Sequence, residues 1–271
     1  MDVSLQKFDK QVGGRTTLFQ ILGDHLLKPT SAYEVEAYLK MNESVMEVAP
    51  QVCYIFKNGK VIEQNKCLNC YSRSQISAIG SLAAQFHEGY YLIMRDATHG
   101  LTRPRVLDIK LGTRTYSDHI PEEKKKSRIL KLAKTTSKSL GLRLSGAGYI
   151  PQGHEQKITI TKPTGMAMNK HEFTDTMREF FNVPSEHKQE VIRQLQKIKK
   201  AVEDSPNLRF FGSSLLVVIE KENKIVQKAV KVKLIDFANQ ARSEPGQIQY
   251  IGLDDGALFG VDNFIDIIGS V

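Results

Sequence analysis

Residues 104–112 read Pro104-Arg105-Val106-Leu107-Asp108-Ile109-Lys110-Leu111-Gly112. Apolar and charged side chains alternate from Leu107 onward, the period of a β-strand whose successive side chains point to opposite faces. Asp108 and Lys110 therefore share one face, which Val106 can begin, while Leu107, Ile109 and Leu111 turn into a core. A carboxylate and an ammonium held side by side on a strand can address a hydroxyl and a phosphate together, so chemistry and packing are separated by the pleat.

A second carboxylate stands at the end of the apolar run Leu234-Ile235-Asp236-Phe237-Ala238. Such a group can hold Mg2+, which takes oxygen ligands and keeps waters and substrate phosphates in its shell; an isolated Asp at a strand end is as often a cap or turn residue. Combined with the upstream Asp-x-Lys it supplies what phosphoryl transfer asks of a protein: a carboxylate to orient the nucleophile, a cation on the transferring phosphate and a carboxylate for the metal. Lys28 closes an apolar run near the start of the chain, where a lysine can reach nucleotide phosphates, although exposed lysines are common. Gly13-Gly14-Arg15 reads as a phosphate-covering turn or as a plain structural one. There is no Walker loop, no His-Glu-x-x-His and no Gly-x-Ser-x-Gly; Gly212-Ser213-Ser214-Leu215-Leu216 runs into an apolar strand rather than the helix of a nucleophile elbow.

The 271 residues carry 38 Lys and Arg against 30 Asp and Glu, a net charge of +8. Residues 103–144 hold twelve of the basic and four of the acidic side chains, so that one segment accounts for the whole surplus. A localised positive surface implies a concentrated anionic partner: a polyphosphate, a nucleic acid or an anionic membrane. The periodicity predicts a helix over 122–139, and at about 100° per residue Lys124, Arg128, Lys131, Lys134 and Lys138 fall on one face of it. Most lysine-rich helix faces are simply solvated, but this one follows Asp108 and Lys110 closely enough to serve the same multiply charged anion. Aromatic and basic residues mix only at Arg209-Phe210-Phe211, a poor stacking surface, so no nucleic acid partner is predicted. No run reaches about 18 apolar residues and no amphipathic stretch suits an anchor, so no stable membrane association is expected.

The length fits one domain or two lobes. Residues 1–95 read as a small mixed lobe: a helix over 33–41, a hairpin over 52–63 turning at Asn58-Gly59, a helix over 75–86 and a strand over 90–94. Residues 96–271 continue with the strand at 105–111, two short strands within 148–161, helices over 170–181 and 185–203, and strands over 210–220 and 228–237. The order is α+β. Cys53, Cys67 and Cys70 include one Cys-x-x-C, but a closed zinc site needs four ligands and a redox pair a thioredoxin-like setting, so neither metal nor redox use of the thiols is expected. Met1 to Lys7 lacks the order of a secretory signal. A soluble monomer is expected in the cytoplasm, with the nucleus open to so basic a chain; Lys124-Lys125-Lys126 is too short to act as a nuclear address.

These residues resemble the inositol polyphosphate kinase family, which spans inositol hexakisphosphate kinases, inositol polyphosphate multikinases and inositol trisphosphate 3-kinases. The family's Pro-x-x-x-Asp-x-Lys-x-Gly is matched by Pro104, Asp108, Lys110 and Gly112, its Ser-Ser-Leu-Leu by Ser213 to Leu216, and its Asp-Phe-Ala by Asp236 to Ala238. The run Thr135 to Arg143, and Gly252 to Gly260 near the end, lie in the family's order. The resemblance implies a two-lobed, protein-kinase-related α+β fold with ATP in the interlobe cleft and a short helical inositol-phosphate-binding insert at 117–145. It implies that Lys28 contacts ATP phosphates, that Asp96 lies on the hinge beside adenine and ribose, and that Ser214 supports the nucleotide and metal site. Asp108 then orients or deprotonates the acceptor oxygen, Lys110 contacts both acceptor and transferring phosphate, and Asp236 holds Mg2+. Lys124, Arg128, Lys131, Lys134 and Lys162 are the candidates for acceptor phosphates, Lys131 on the resemblance and the others mainly on the charge stripe.

The departures concern the acceptor. Gly146-Ala147-Gly148-Tyr149 replaces the more usual Gly-Met-Gln-Val-Tyr, Lys162-Pro163-Thr164-Gly165 lacks an aromatic pair, and Ala257-Leu258-Phe259 stands where Tyr-Ile-Phe is common. The Ser-Leu-Gly-Leu-Arg run and compact insert lean toward an inositol hexakisphosphate kinase, with a multikinase or trisphosphate 3-kinase acting on a ring hydroxyl as the alternative. The rival of another class is a non-catalytic module that binds phosphoinositide headgroups or nucleic acid through the basic stripe.

Overall fold

The computed structural model describes residues 4–14, 16–21, 23–68, 70–84, 89–118, 120–246 and 248–271. A first antiparallel sheet contains β1 (Gln6–Lys7), β2 (Phe19–Gln20), β3 (His25–Pro29), β4 (Val52–Lys57), β5 (Lys60–Glu63) and β6 (Tyr90–Arg95), in the spatial order β1-β2-β3-β6-β4-β5. The β4–β5 hairpin turns at Asn58 and Gly59, whose φ of 49° and 75° are the left-handed pair that a type I′ turn requires. After β3 come α1 (Ala32–Leu39), capped by the Ser31 hydroxyl, and α2 (Glu43–Val48), capped by Asn42. Alternation sorts the two faces of this sheet. Leu26, Ile55 and Leu92 join Val35 and Tyr38 of α1 in the main core, whereas Leu27, Tyr54, Tyr91 and Ile93 pack on Ile76 and Ile79 of α3 (Arg73–Ala83).

The second sheet has β7 (Arg105–Leu111) at its centre. Its members run β12-β11-β7-β8-β9, with β8 at Leu142–Tyr149, β9 at Ile158–Ile160, β11 at Ser214–Ile219 and β12 at Val230–Ile235; β10 (Leu208–Arg209) pairs separately with β13 (Ala241–Arg242). Leu107, Ile109 and Leu111 are fully buried in the main core, as the alternation requires, together with residues of α7 (Lys170–Phe180), α8 (Ser185–Glu203) and α10 (Asp255–Ser270). Val106 takes the other face with Leu101 and Val218.

Several stretches differ from the sequence expectation. The 122–139 helix is broken into α4 (Glu122–Ala133) and α5 (Ser137–Leu140); the Thr135 hydroxyl donates to the Leu132 carbonyl at 2.9 Å, a local bond that competes with continued helix. Lys138 is thus not on the helix that carries Lys124, Arg128 and Lys131. β8 starts at Leu142 rather than near residue 148, because Gly146 and Gly148 imitate a loop while serving as points of close backbone approach. Helices α6 (Lys162–Ala167), α9 (Val226–Ala229) and α10 were not expected; α10 is capped by the Asp254 carboxylate, which accepts the Ala257 N–H at 3.0 Å.

Arg105 is a buried structural cation rather than part of a binding face. Its guanidinium donates to the carbonyls of Phe180 (2.8 Å), Ile150 (3.0 Å) and Glu179 (2.7 Å) and lies 4.7 Å from the centre of the Tyr149 ring. It therefore closes the C-terminus of α7 onto β7 and β8. Arg105→Met is expected to lower unfolding free energy by about 3–5 kcal/mol in urea titrations, since it strands three carbonyls at once; Arg105→Lys is expected to restore little, because an ammonium cannot span that fork.

Candidate active site

Antiparallel register assembles the site. Ser214 on β11 lies opposite Lys110 on β7 and Ile235 on β12, which leaves Asp236 just beyond the end of β12. Asp236 has a φ of 66°, a left-handed conformation that Asp and Asn tolerate better than most residues. Its Oδ2 accepts from Lys110 Nζ at 2.7 Å and its Oδ1 from Lys28 Nζ at 3.1 Å. Lys110 also donates to the Gly212 carbonyl at 2.7 Å, and Lys28 to Glu34 Oε1 at 2.8 Å. The same Glu34 oxygen accepts the Phe237 N–H at 3.1 Å, while its partner oxygen accepts the Thr30 hydroxyl. A carboxylate from the second sheet thus joins two lysines, one from each sheet, and a helix glutamate fixes the Lys28 end.

Burial opposes charge on both Asp236 and Lys28, but the ion pairs win. Lys110 and Lys28 hold the Asp236 carboxyl well below the usual range, and Glu34 and Asp236 hold the Lys28 ammonium above it. Asp108 behaves in the opposite way: burial pushes its carboxyl up, with Asp236 adding to the rise and Lys110 opposing it. It is only 4% exposed. Gly146 faces it across the β7–β8 pair, and a Cβ on Gly13 would sit 2.0 Å from Asp108 Oδ2, so the chain at residues 12–13 lies directly on this carboxylate. That answers one of the two readings of Gly13: the glycine is required for close approach to Asp108. Arg15 lies outside the described residues.

Asp108 Oδ1 and Ser214 Oγ are both buried without a hydrogen bond of normal geometry to protein, although the Ser214 hydroxyl lies close enough to favour the ionised carboxyl. Lys162, at the start of α6, also lies within electrostatic reach of Asp108. Asp96 follows β6; its N–H donates to the Asp24 carbonyl at 2.8 Å, and its Oδ1 accepts the Thr98 N–H and hydroxyl at 2.7 and 2.8 Å. Its carboxylate therefore orders the turn between the two sheets and, among the described residues, forms no hydrogen bond with the Asp236 cluster. Lys124, Lys131 and Lys134 are exposed and, among the described residues, form no ion pair, whereas their neighbour Lys125 is paired with Glu122 at 2.6 Å. Arg128 reaches the Thr115 carbonyl at 3.4 Å. No hydrogen bond or ion pair joins these four cations to Asp108, Lys110 or Asp236 among the described residues.

Two residues of the constellation were missed from sequence. Glu34 carries no local signal beyond its place in the first turn of α1; only the approach of α1 to residues 236–237 reveals it. Arg143 lies opposite Lys110 on β8, is 7% exposed, has an Nε without a hydrogen-bond partner and feels the Asp108 carboxylate. The β8 register would have exposed it, had that strand been recognised.

The depressed Asp236 fixes a sign. Its contribution to stability is complete above the unfolded-state carboxyl pKa of about 3.9 and is lost as pH falls through the lower folded value. The melting-temperature difference between the chain and Asp236→Asn is accordingly expected to be flat from roughly pH 5 to 8 and to narrow below about pH 4, as a pH series of thermal melts will show.

The two-sheet α+β fold is that of solved inositol phosphate multikinases. The structure of inositol phosphate multikinase Ipk2 from S. cerevisiae, in complex with ADP and Mn2+, matches with a TM-score of 0.67 at 20% identity, covering 92% of this chain and 99% of that one. The profile of the family described as inositol polyphosphate kinase matches residues 91–269, and the chain belongs to that family. Similar curated proteins include inositol hexakisphosphate kinase 2 of Homo sapiens, 25% identical over 256 residues that cover 79% of this chain and 60% of the relative. Inositol hexakisphosphate kinase 3 of Mus musculus is 26% identical over 200 residues, covering 67% of this chain and 50% of that protein. The chain thus spans some 50–60% of the length of these relatives.

Proposed function

We propose that this chain is an ATP- and Mg2+-dependent kinase that phosphorylates a soluble inositol polyphosphate, with hexakisphosphate to diphosphoinositol pentakisphosphate as its reaction. The observation that carries the reading is the Asp236 carboxylate shared by Lys28 and Lys110 beside the buried Asp108. Nucleotide phosphates compete for Lys28 and Lys110 and so free the Asp236 oxygens. Those oxygens, with the buried Ser214 Oγ on the strand opposite Lys110, offer the all-oxygen donors that suit Mg2+. When bound, that ion neutralises charge on the transferring phosphoryl group.

Lys28, held by Glu34, grips the nucleotide phosphates, and Asp96 shapes the turn beside adenine and ribose. Lys110 follows the transferring phosphate, while Asp108 aims the acceptor oxygen along the line of attack. Lys162 lies near enough to Asp108 to meet an acceptor phosphate. The unpaired Lys124, Lys131 and Lys134, with Arg128, supply the multiple charge-assisted contacts that an acceptor with five or six phosphates needs in place of water and counterions.

The hexakisphosphate assignment is supported by the curated relatives, the multikinase alternative by the fold neighbour's name. Incubation with Mg-ATP and acceptors of increasing phosphorylation, resolved by anion exchange, tests it. The expected result is consumption of hexakisphosphate and a product of higher charge. Transfer confined to acceptors with a free ring hydroxyl would replace it with the multikinase reading.

A further inference from the structure

The thiols left aside by the sequence reading converge on a histidine. His25, Cys53, Cys67 and Cys70 each present one ligand atom, and these atoms all lie within 4.8 Å of one another. His25 Nε2 is 3.5 Å from Cys53 Sγ and 3.3 Å from Cys67 Sγ, and Cys67 Sγ is 3.5 Å from Cys70 Sγ. In a tetrahedral zinc site with Zn–S of about 2.3 Å and Zn–N of about 2.0–2.1 Å, ligand atoms lie about 3.5–3.8 Å apart. Those three distances are near ligand spacing, and the remaining pairs stay within 4.8 Å, so a small inward shift of the side chains closes the set on one ion. We propose that His25, Cys53, Cys67 and Cys70 form a structural zinc site on the face of the first sheet that packs on α3.

Surrounding groups fit a metal better than free thiols. His25 Nδ1 is 2.9 Å from Asp24 Oδ1, a close contact whose angle falls short of a normal hydrogen bond, and this directs Nε2 toward the sulfurs. A carboxylate behind a histidine is the usual support of a zinc-bound imidazole. Asp24 Oδ2 in turn pairs with Arg95 at 2.7 Å, which places that cation near Cys67. Binding displaces three thiol protons to solvent and leaves three thiolates, a neutral imidazole and Zn2+, a centre of charge −1 beside the Arg95 cation. The Cys67 N–H points at Cys70 Sγ at 3.1 Å and the Cys70 N–H returns to the Cys67 carbonyl at 3.3 Å, a tight turn that presents both sulfurs to one point.

Local architecture gives the metal a task. Cys53 occupies the register shift between Val52 and Tyr54 on β4, and the two loop cysteines lie between β5 and α3, where Leu68 is fully exposed and contributes no packing. A bound ion fastens that loop to β3 and β4. It also reaches the nucleotide cleft: the Asp24 carbonyl accepts the Asp96 N–H at 2.8 Å, and Lys28 lies three residues beyond His25 on the same strand. A Cys67–Cys70 disulfide is the competing use, but it would leave Cys53 and the Asp24–His25 pair without a role.

Elemental analysis of the purified full chain, followed by Co2+ titration of chelator-treated protein, tests the site. The expected results are about one zinc per chain, thiolate-to-metal charge transfer with the visible bands of tetrahedral Co2+, and a lower melting temperature after chelation that Zn2+ restores. Cys70→Ser is expected to weaken Zn2+ binding at least tenfold. Its half-buried position makes this variant less disruptive than replacement of Cys53, and the titration of unmodified protein stands even if the variant fails to fold. Absence of metal after expression and refolding in Zn2+, a Co2+ spectrum without thiolate features, or a Cys67–Cys70 disulfide in the mass spectrum would each overturn the proposal.

Discussion

Asp236→Asn is expected to cut turnover by roughly 10²–10³-fold, the scale on which single electrostatic groups act in transition states, while the affinity for inositol polyphosphate without nucleotide stays nearly unchanged. Asparagine is the appropriate replacement because it keeps the side-chain shape and tolerates the φ of 66°. What it removes is the charge that gathers Lys28 and Lys110 and that the metal requires. Initial rates at saturating acceptor, with acceptor binding measured calorimetrically, separate the two effects. A variant that binds acceptor normally and turns over within threefold of the parent would show that Asp236 is a turn residue.

Asp108→Asn is expected to discriminate between acceptors. A ring hydroxyl must lose its proton during attack, so loss of the base should cost about 10²–10⁴-fold in rate. A phosphate oxygen arrives ionised, and there the loss should remain within about tenfold, the part due to positioning. Burial raises the Asp108 carboxyl, and a base works only when deprotonated. Activity on a hydroxyl acceptor should therefore fall as pH drops through a value above the ordinary carboxylate range, and that limb should vanish in the variant. Equal losses on both acceptors would contradict this division of roles. A related substitution, Gly13→Ala, is expected to push the overlying segment off Asp108, since its Cβ would lie 2.0 Å from the carboxylate oxygen.

Short-range signals carried much of this architecture. The alternation at 105–111 placed Leu107, Ile109 and Leu111 in the core and left Asp108 and Lys110 together; Asn58-Gly59 gave its turn; and Asp236 stands at the strand end where the pattern put it. The signals that failed were those in which glycine has two meanings. Gly146 and Gly148 look like loop residues, yet a Cβ on Gly146 would lie 1.9 Å from the Val12 carbonyl, so the strand needs them for contact with the overlying chain. Missing β8 hid Arg143. Glu34 and His25 were invisible for another reason: each acquires its partners from segments distant in sequence, Glu34 from residue 237 and His25 from Cys53 and Cys67. Local spacing can count three cysteines but cannot find a histidine 28 residues upstream.

The α4 stripe occupies the middle ground. Its charge was legible and its lysines are exposed, yet the helix stops at Ala133 because the Thr135 hydroxyl turns back on Leu132. Lys131 and Lys134 thus lie at a helix end beside the segment that leads to Arg143, a position from which an anion between α4 and β8 is within the reach of long side chains.

The most direct measurement follows label from γ-labelled ATP in the presence of Mg2+ and a mixture of inositol phosphates, for the parent chain and for Asp236→Asn. Label in an inositol phosphate with the parent, and its near absence with the variant, is the predicted result. Tight binding of inositol polyphosphate with no label transferred by either protein would contradict the account and leave a non-catalytic anion-binding module.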